Sequence, residues 1–261
     1  MNLGLAGQTV LVSGASRGIG FAIAAAFAAE GAQVAITGRD GAALEAAASR
    51  LAATVGADKV LAVPADMADA AAVTAAVDRI EAELGPIRAA VANAGSGSAK
   101  AGIELSRDDW QAALDANLFP ATQLASVLLP RLVARRQGCL TVISSIAGIE
   151  AIRAPIPYAA AKAALDMAVK GYAQQVGGAG VRVNAVAPGN VFVPGGSWAT
   201  KFEDAQKKAL FVDYIEREVP LRRFATPREV ADVAVFLSSA RASFVTGAIV
   251  TVDGGQLRSL I

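Results

Sequence analysis

Histidine is absent from the 261-residue sequence, and its absence excludes several classes of enzyme. Ser-His-Asp hydrolysis, HExxH zinc chemistry and a histidine-based dehydrogenase relay all need an imidazole. Any acid or base must therefore be Tyr, Lys, Asp, Glu or a cofactor. We expect no metal site.

Cysteine, charge of one sign and long apolar runs are also scarce. The single cysteine, Cys139, cannot form an internal disulfide and is expected to be a small buried hydrophobe. With 24 basic and 23 acidic residues, the net charge of +1 gives no electrostatic reason to expect nucleic acid or a membrane surface as partner. No basic segment follows Met1 and no uncharged apolar run approaches 18 residues, so we expect a cytoplasmic protein without a signal peptide or membrane span.

A glycine-rich turn joins the first strand-like run, residues 10–12, to an Ala-rich helical segment at residues 21–30. Gly14, Gly18 and Gly20 lie in this turn. Glycines let a backbone approach a ligand closely, and a helix N-terminus offers free N–H groups to an anion, most often a diphosphate. The spacing Gly-x-x-x-Gly-x-Gly is one residue longer in its first gap than the commonest dinucleotide fingerprint. A tight strand-to-helix turn without a ligand is the alternative.

Apolar β-branched runs alternate with amphipathic helical segments along the rest of the chain. Further strands are predicted at residues 34–37, 60–63, 89–93, 140–144, 181–186 and 249–252, and further helices at 40–55, 69–84, 107–136, 158–176 and 227–239. We expect the helix over 107–136 to bend near Pro120 and Pro130. Strict alternation implies crossover connections and a parallel α/β sheet covered on both faces. No linker divides the sequence, so residues 1–261 are predicted to form one domain.

The end of the second predicted strand bears on the choice between NAD and NADP. An NAD site places a carboxylate there for the ribose 2′-OH, whereas a 2′-phosphate needs a cation. Gly38 occupies that position, Arg39 follows it, and Arg17 in the glycine-rich turn could reach the same phosphate. These residues favour NADP(H). Two ordinary solvated arginines are the alternative, and a register change would bring Asp40 to the ribose.

Small and acidic residues follow the next two strands. Asp66 could accept a hydrogen bond from the adenine amino group or could cap a helix, a task for which Asp69 competes. Residues 93–95, Asn-Ala-Gly, would leave room for the cofactor's ribose.

Tyr158 and Lys162 are four residues apart and lie on one face of a helix that begins near Pro155 and Pro157. The ammonium and the helix N-terminus would both lower the pKa of the phenol toward a useful range for acid–base catalysis. Ser144 and Ser145 end the preceding strand at the ligand-binding edge, although they could simply cap a turn.

Taken together and in order, these motifs resemble the classical short-chain dehydrogenase/reductase family over nearly the whole chain, in particular its 3-oxoacyl-carrier-protein reductase-like members. The matching residues are Ser13-Gly14-Ala15-Ser16-Arg17-Gly18-Ile19-Gly20, Asn93-Ala94-Gly95, Asn117, Ser145, Tyr158, Lys162, Pro188-Gly189, Val245-Thr246-Gly247 and Val252-Asp253-Gly254-Gly255. The resemblance implies a Rossmann-like, doubly wound, seven-stranded parallel sheet, hydride transfer between NAD(P) and a carbonyl or alcohol, and a homotetramer.

The same resemblance implies the roles of the site residues. Tyr158 would be the proton donor, and Lys162 would lower its pKa and bind the nicotinamide ribose. Ser145 would hold the substrate oxygen, and Asn117 would anchor a water relay to Lys162. The expected cofactor-binding residues are Gly14, Ser16, Arg17, Gly18, Ile19, Gly20, Arg39, Asp66, Met67, Asn93, Ala94, Gly95, Tyr158, Lys162, Pro188, Gly189 and Val191.

Two residues depart from the family pattern. Ser13 stands where Thr is usual, which keeps the hydroxyl. Val193 stands where a Thr often contacts the nicotinamide end, so that contact is in doubt, although the backbone of Val191 could still bind the carboxamide.

Residues 190–219 are predicted to form a substrate lid with a hinge at residues 194–196. The lid holds five of the 14 aromatic residues, namely Phe192, Trp198, Phe202, Phe211 and Tyr214. These aromatics favour a largely apolar small-molecule substrate and a lid that excludes water. A helix pair that packs on the body is the alternative.

The sequence therefore predicts an NADPH-dependent oxidoreductase that reduces a ketone or a 3-oxoacyl carbonyl. An NAD(P)-dependent secondary alcohol dehydrogenase is the alternative within enzymes. A non-catalytic dinucleotide-binding sensor is a further alternative, which the complete set of four catalytic residues disfavours. Arg131, Arg135 and Arg136 could dock an acidic carrier protein, but a solvated helix face explains them better.

Overall fold

A single parallel sheet runs through the protein, and the computed structural model describes it within residues 2–56, 59–202 and 204–259. The strands are β1 (Thr9–Ser13), β2 (Gln33–Gly38), β3 (Val60–Pro64), β4 (Ile87–Ala92), β5 (Gly138–Ile143), β6 (Val181–Pro188) and β7 (Ile249–Val252). The helices are α1 (Gly18–Ala29), α2 (Gly41–Val55), α3 (Ala70–Leu84), α4 (Arg107–Asn117), α5 (Phe119–Ala134), α6 (Ile156–Val176), α7 (Ser197–Phe202), α8 (Ala205–Glu218) and α9 (Pro227–Ser238).

The strand order is β3-β2-β1-β4-β5-β6-β7, and every pairing is parallel. The chain winds outward from β1 to β3 and then returns to pair β4 with the other side of β1. This reversal opens a crevice at the carboxyl ends of β1 and β4, where doubly wound sheets bind ligands. The predicted Rossmann-like, seven-stranded fold is confirmed.

Both faces of the sheet are buried by helices, which explains why the strands are apolar throughout rather than alternating. Val10 and Val12 pack in one apolar layer with α1, α2 and α9, where Phe27 is fully buried. Leu11 points to the opposite layer, in which Leu124 on α5 packs with residues of α3 and α6. Cys139 is 3% exposed on β5, as expected for a small buried hydrophobe.

Local capping signals set several helix starts. The carboxylate of Asp40 accepts a hydrogen bond from Ala43 N at the start of α2 (3.1 Å), and Asp69 accepts one from Ala72 N at the start of α3 (2.9 Å). Each carboxylate satisfies a backbone N–H that the first turn leaves without a partner.

The predicted helix over residues 107–136 is two helices. The break lies at Leu118, whose φ of −111° and ψ of −57° separate α4 from α5. Pro120 follows in the first turn of α5, where a missing N–H is tolerated. The bend predicted near Pro120 is therefore a complete break, whereas α5 continues through Pro130.

Within the described ranges, no helix is both long enough and apolar enough to cross a membrane.

Candidate active site

The turn after β1 is held by side chains at the reversal of the strand order. Ser13 Oγ accepts hydrogen bonds from the backbone N–H groups of Asn93 (3.0 Å) and Ala94 (3.1 Å). In return, Asn93 Nδ2 donates to the carbonyl oxygens of Ser13 (3.1 Å) and Gly14 (3.0 Å). The hydroxyl that Ser13 retains thus joins β1 to β4. Asn93 therefore holds the turn after β1 in place, in addition to its expected position beside the cofactor.

The start of α1 is shaped for an anion. A Cβ on Gly14 would lie 2.9 Å from Ala94 Cα, and one on Gly20 would overlap the carbonyl of Gly14. The Arg17 side chain makes no capping hydrogen bond, and the described first turn of α1 contains no acidic residue. By contrast, side chains cap α2, α3, α4 and α9. The residues present therefore fit a dinucleotide diphosphate at this helix start.

Arg39 and Arg17 are both exposed near the end of β2 and the start of α1. A Cβ on Gly38 would lie 3.4 Å from Leu44 Cδ1 and 4.0 Å from Ser16 Oγ, so Ser16 borders the same position. Arg17 Nη1 donates to the carbonyl of Gly195 (3.3 Å). Because Asp40 caps α2, its carboxylate already has a structural partner.

Asp66 and Met67 follow β3. The Asp66 side chain is exposed, and its Oδ1 accepts a hydrogen bond from Ala68 N (3.0 Å), whereas Asp69 performs the capping task. The Met67 side chain is 3% exposed in the apolar core, so only its backbone could meet a ligand.

Ser145, Tyr158 and Lys162 converge beyond the end of β5. Lys162 is 5% exposed, and its Nζ donates to the carbonyl of Ile143 (2.9 Å) and lies 6.0 Å from the centre of the Tyr158 ring. Ser145 Oγ accepts a hydrogen bond from Ala147 N (3.2 Å), so this hydroxyl does cap a turn. The same hydroxyl also lies close to the Tyr158 phenol.

Burial governs the protonation of this pair. It raises the pKa of Tyr158 above its usual value, and a hydrogen bond with Ser145 only partly opposes this. Burial also lowers the pKa of Lys162 to about 8, against the opposing charge of Asp166. The predicted lowering of the Tyr158 pKa is wrong for the protein's own groups, because desolvation of the phenol outweighs its hydrogen bond with Ser145. The phenol is consequently protonated at neutral pH.

Asn117 ends α4 and is 1% exposed. Its Nδ2 donates to the carbonyl of Ala113 (3.1 Å), and its Oδ1 accepts from the backbone N–H of Ser96 (3.0 Å). A Cβ on Gly95 would lie 3.3 Å from Asn117 Oδ1 and 3.7 Å from Lys162 Nζ. Asn117 thus fixes the loop after β4 beside Lys162.

A cavity of about 330 Å³ brings most of the predicted residues together. It is lined by Gly14, Arg17, Gly18, Ile19, Gly20, Asn93, Gly95, Asn117, Ser144, Ser145, Tyr158, Lys162, Pro188, Gly189 and Val191, together with Ile143, Ser96, Gly97, Val193, Gly196 and Trp198. Ser16, Arg39, Asp66, Met67 and Ala94 do not line it. Sequence reasoning missed Ser96 and Gly97, although their place directly after the strand-ending Asn-Ala-Gly was a usable signal.

The predicted lid consists of α7 and α8, and the C-terminal segment contacts its base. Asn190 Nδ2 donates to Gln256 Oε1 (2.6 Å), and Gln256 Nε2 donates to the Tyr214 hydroxyl (2.9 Å). Most lid aromatics pack on one another and on Phe224, with ring centres 5.2–5.9 Å apart. In the described part of the lid, Trp198 is the predicted aromatic that lines the cavity.

Three features define the class of protein as a Rossmann-type oxidoreductase. They are the parallel sheet whose strand order reverses between β1 and β4, the start of α1 without a side-chain cap, and the Tyr158–Lys162 pair at one edge of the sheet. A family model described as enoyl-(acyl carrier protein) reductase matches residues 14–256. The chain belongs to the classical short-chain dehydrogenase/reductase family.

Individual relatives agree with this membership over nearly their full lengths. The chain is 35% identical over 260 residues to 3-oxoacyl-[acyl-carrier-protein] reductase of Chlamydia muridarum, covering 98% of this chain and 100% of the relative. It is 36% identical over 253 residues to D-threitol dehydrogenase of Mycolicibacterium smegmatis, covering 96% and 93%. The crystal structure of L-sorbose reductase from Gluconobacter frateurii, complexed with NADPH and L-sorbose, matches with a TM-score of 0.93 at 33% identity and covers both chains completely.

Proposed function

We propose that the protein is an NADPH-dependent reductase that converts a ketone or a 3-oxoacyl carbonyl to an alcohol. The observation that carries this proposal is the convergence of Ser145, Tyr158 and Lys162 on the cavity that the glycine-rich turn also lines. Relatives named as a 3-oxoacyl reductase and as a sorbose reductase complexed with NADPH support it. Residues 1–261 would act as one dinucleotide-binding and catalytic domain, because both halves of the site lie on one sheet.

The cofactor would bind along the carboxyl edge of the sheet. The free N–H groups at the start of α1 would hold its diphosphate, and Arg17 and Arg39 would hold the 2′-phosphate that distinguishes NADPH. The engagement of Asp40 in capping α2 supports NADPH over NADH. When bound, the nicotinamide would supply the hydride for the carbonyl carbon.

The remaining chemistry belongs to the protein's side chains. Ser145 would donate a hydrogen bond to the substrate oxygen, and the protonated Tyr158 phenol would transfer its proton to that oxygen as negative charge develops there. Lys162 would favour the phenolate that remains and bind the nicotinamide ribose. Asn117, beside Lys162 under the loop after β4, would anchor the water that returns the proton.

Two classes of substrate are candidates, and the aromatic residues of the predicted lid help to choose between them. An apolar ketone or 3-oxoacyl thioester fits the predicted lid over residues 190–219. The second candidate is a polyhydroxy ketone, because the lid aromatics pack mainly on one another and Trp198 is the one of the five that lines the cavity in the described part of the chain. D-threitol dehydrogenase and L-sorbose reductase, by their names, act on compounds of this kind.

The test is an absorbance assay of NADPH and NADH consumption with simple ketones, 3-oxoacyl thioesters and ketoses, and of NADP⁺ reduction with polyols. We expect turnover of at least one carbonyl class with NADPH. Tyr158→Phe should lower kcat by roughly 10²–10⁴-fold and leave NADPH affinity nearly unchanged, because it removes only the proton donor. Phenylalanine at the partly buried Tyr172, which does not line the cavity, is the matched control. Activity of Tyr158→Phe within threefold of wild type contradicts the assignment of the proton donor.

A further inference from the structure

Asp166 is a buried carboxylate on α6 that the proposed reaction does not use. It follows Lys162 by four residues and Tyr158 by eight, so the three side chains lie along one face of the helix. Both Asp166 oxygens are buried, and among the described residues neither accepts a hydrogen bond of good geometry, although the Ser144 hydroxyl lies close enough to lower the pKa of the carboxyl. An unpaired buried carboxylate normally costs stability, so its presence here needs an explanation.

The turn at residues 146–148 covers this carboxylate. A Cβ on Gly148 would lie 2.9 Å from Asp166 Oδ2 and 2.7 Å from the carbonyl carbon of Lys162. The backbone after β5 therefore packs directly on α6 between these two residues. Ser144 Oγ, at the end of β5, is likewise buried without a hydrogen-bond partner of good geometry in the described structure.

The charges of Asp166 and Lys162 act on each other. Burial raises the pKa of Asp166 to about 6, while Ser144 and the Lys162 ammonium oppose this rise. In turn, burial lowers the pKa of Lys162 to about 8, and the Asp166 carboxylate opposes that fall. Each group therefore favours the charged form of the other. Among the described residues, the elements packed against α6, namely the turn at 146–148, α4, α5 and β6, contribute no charged group that shifts the pKa of Asp166.

A purely structural role does not explain an aspartate at this position. Asp is a weak helix former in a helix interior, and here it caps nothing and accepts no hydrogen bond from its own helix. An apolar residue would fill the same space at lower cost.

We propose that Asp166 is a positioning residue of this site, whose buried carboxylate keeps the Lys162 side chain charged beside Tyr158. The benefit of this arrangement for catalysis rests on the proposed reductase function, whereas the electrostatic effect of Asp166 on Lys162 does not depend on it. Lys162 is buried, and its ammonium donates to the carbonyl of Ile143, so a negative charge one helical turn away favours its ammonium form.

The direct test is a titration of Lys162 itself. The chain contains seven lysines, so protein labelled with 13C at the lysine Cε gives few NMR signals, and the signal lost in Lys162→Met assigns Lys162. In Asp166→Asn, which preserves shape but removes the charge, we expect the pKa of Lys162 to fall by roughly 0.5 or more. Asp115→Asn, on the exposed surface of α4, is the matched control and should leave it unchanged.

Two further measurements complete the test. Asp166→Glu keeps the charge and should restore most of the wild-type titration. If Asp166→Asn does not fold, as judged by circular dichroism, Asp166→Ala gives the same neutral comparison. In the active enzyme, the alkaline limb of kcat/KM should move to lower pH in Asp166→Asn and stay in place in Asp115→Asn.

An unchanged Lys162 titration in a folded neutral variant overturns the proposal. Failure to find any carbonyl substrate would count against the reductase function alone, because the NMR titration needs no turnover.

Discussion

We expect the cofactor preference to depend most on the Arg39 side chain. It is exposed directly after Gly38, and the neighbouring Asp40 is committed to capping α2. Arg39→Ala should therefore weaken NADPH binding about tenfold or more, since a charge-assisted hydrogen bond contributes roughly 1.5–3 kcal/mol, and should change NADH binding little. Fluorescence titration with both cofactors measures this. Arg228→Ala, which removes an exposed arginine paired with Asp232 on α9, is the control.

Gly38→Asp tests the same site in the opposite direction. A Cβ at Gly38 meets only ordinary contacts, the nearest at 3.4 Å, so the variant should fold. Its carboxylate would accept from a ribose 2′-OH and repel a 2′-phosphate, so NADH should gain affinity while NADPH loses it. Tighter binding of NADH than NADPH by the wild-type protein would remove the main support for the reductive direction.

Roles that depend on neighbouring residues in the sequence were predictable, whereas roles that depend on tertiary packing were not. Asp69 was expected to cap a helix because capping depends on the adjacent turn, whereas Asp40 was considered only for the ribose and in fact caps α2. The predicted direction of the Tyr158 pKa shift was wrong, because the burial of this side chain depends on elements that come together only in the fold. The role of Asp166 was not predictable, because its carboxylate is covered by Gly148, which belongs to another element.

At the scale of elements, Glu81 joins α3 to α5. It accepts hydrogen bonds from Arg135 (2.5 and 2.7 Å), Arg131 (3.2 Å) and the backbone N–H of Ile87 (3.2 Å). Burial alone would raise the pKa of Glu81, but these bonds outweigh it and hold the pKa below its usual value. The arginines considered for carrier docking are thus partly engaged in packing two helices together.

Glu81→Gln should lower the stability of the protein at neutral pH by about 1 kcal/mol, or roughly 2–4 °C in Tm. Because the folded-state pKa of Glu81 is depressed, its contribution is present above the ordinary value of 4.5 and is lost as the pH falls. The difference from wild type should therefore shrink in thermal scans below about pH 4.5. Glu83→Gln, in the exposed pair with Arg79 on α3, is the control and should cost much less at any pH. A pH-independent difference would assign the effect of Glu81 to packing instead.

The positions of the helices and strands along the chain were predicted better than the contacts between them. The break at Leu118 lies two residues before Pro120, where the missing N–H had indicated a bend. The lid helices were expected, but the pairing of their aromatics was not, because Phe224 lies beyond the predicted lid and packs against Phe192, Trp198 and Phe202. Alternation indicated parallel strands, whereas the order β3-β2-β1-β4 depends on which edges meet in space.

At the scale of the whole molecule, we predict a homotetramer. The family resemblance implies that the helices predicted over residues 107–136 and 158–176 pair across two-fold axes, and Met167 on α6 is 72% exposed. By contrast, the fully exposed Phe244 lies before β7, and Phe236 on α9 is 40% exposed. Both sets of residues offer apolar surface to a symmetric copy.

Light scattering should give four times the chain mass of 26.4 kDa at micromolar concentration. Phe244→Asp should shift the mass toward smaller species, whereas Ile103→Asp, in an exposed loop, should not. A wild-type mass of 26.4 kDa would contradict the tetramer.

The pairing of β6 with β7 has a consequence for the order in which the chain can fold during synthesis. Gly189 N donates to the carbonyl of Val252 (3.0 Å), so the wall of the cavity at Pro188 and Gly189 is fixed by the seventh strand. The glycine-rich turn, Tyr158 and Lys162 are all translated well before it. We therefore expect this wall of the cavity to form only after residues 249–252 have left the ribosome, so chains that end before them should lack a finished pocket.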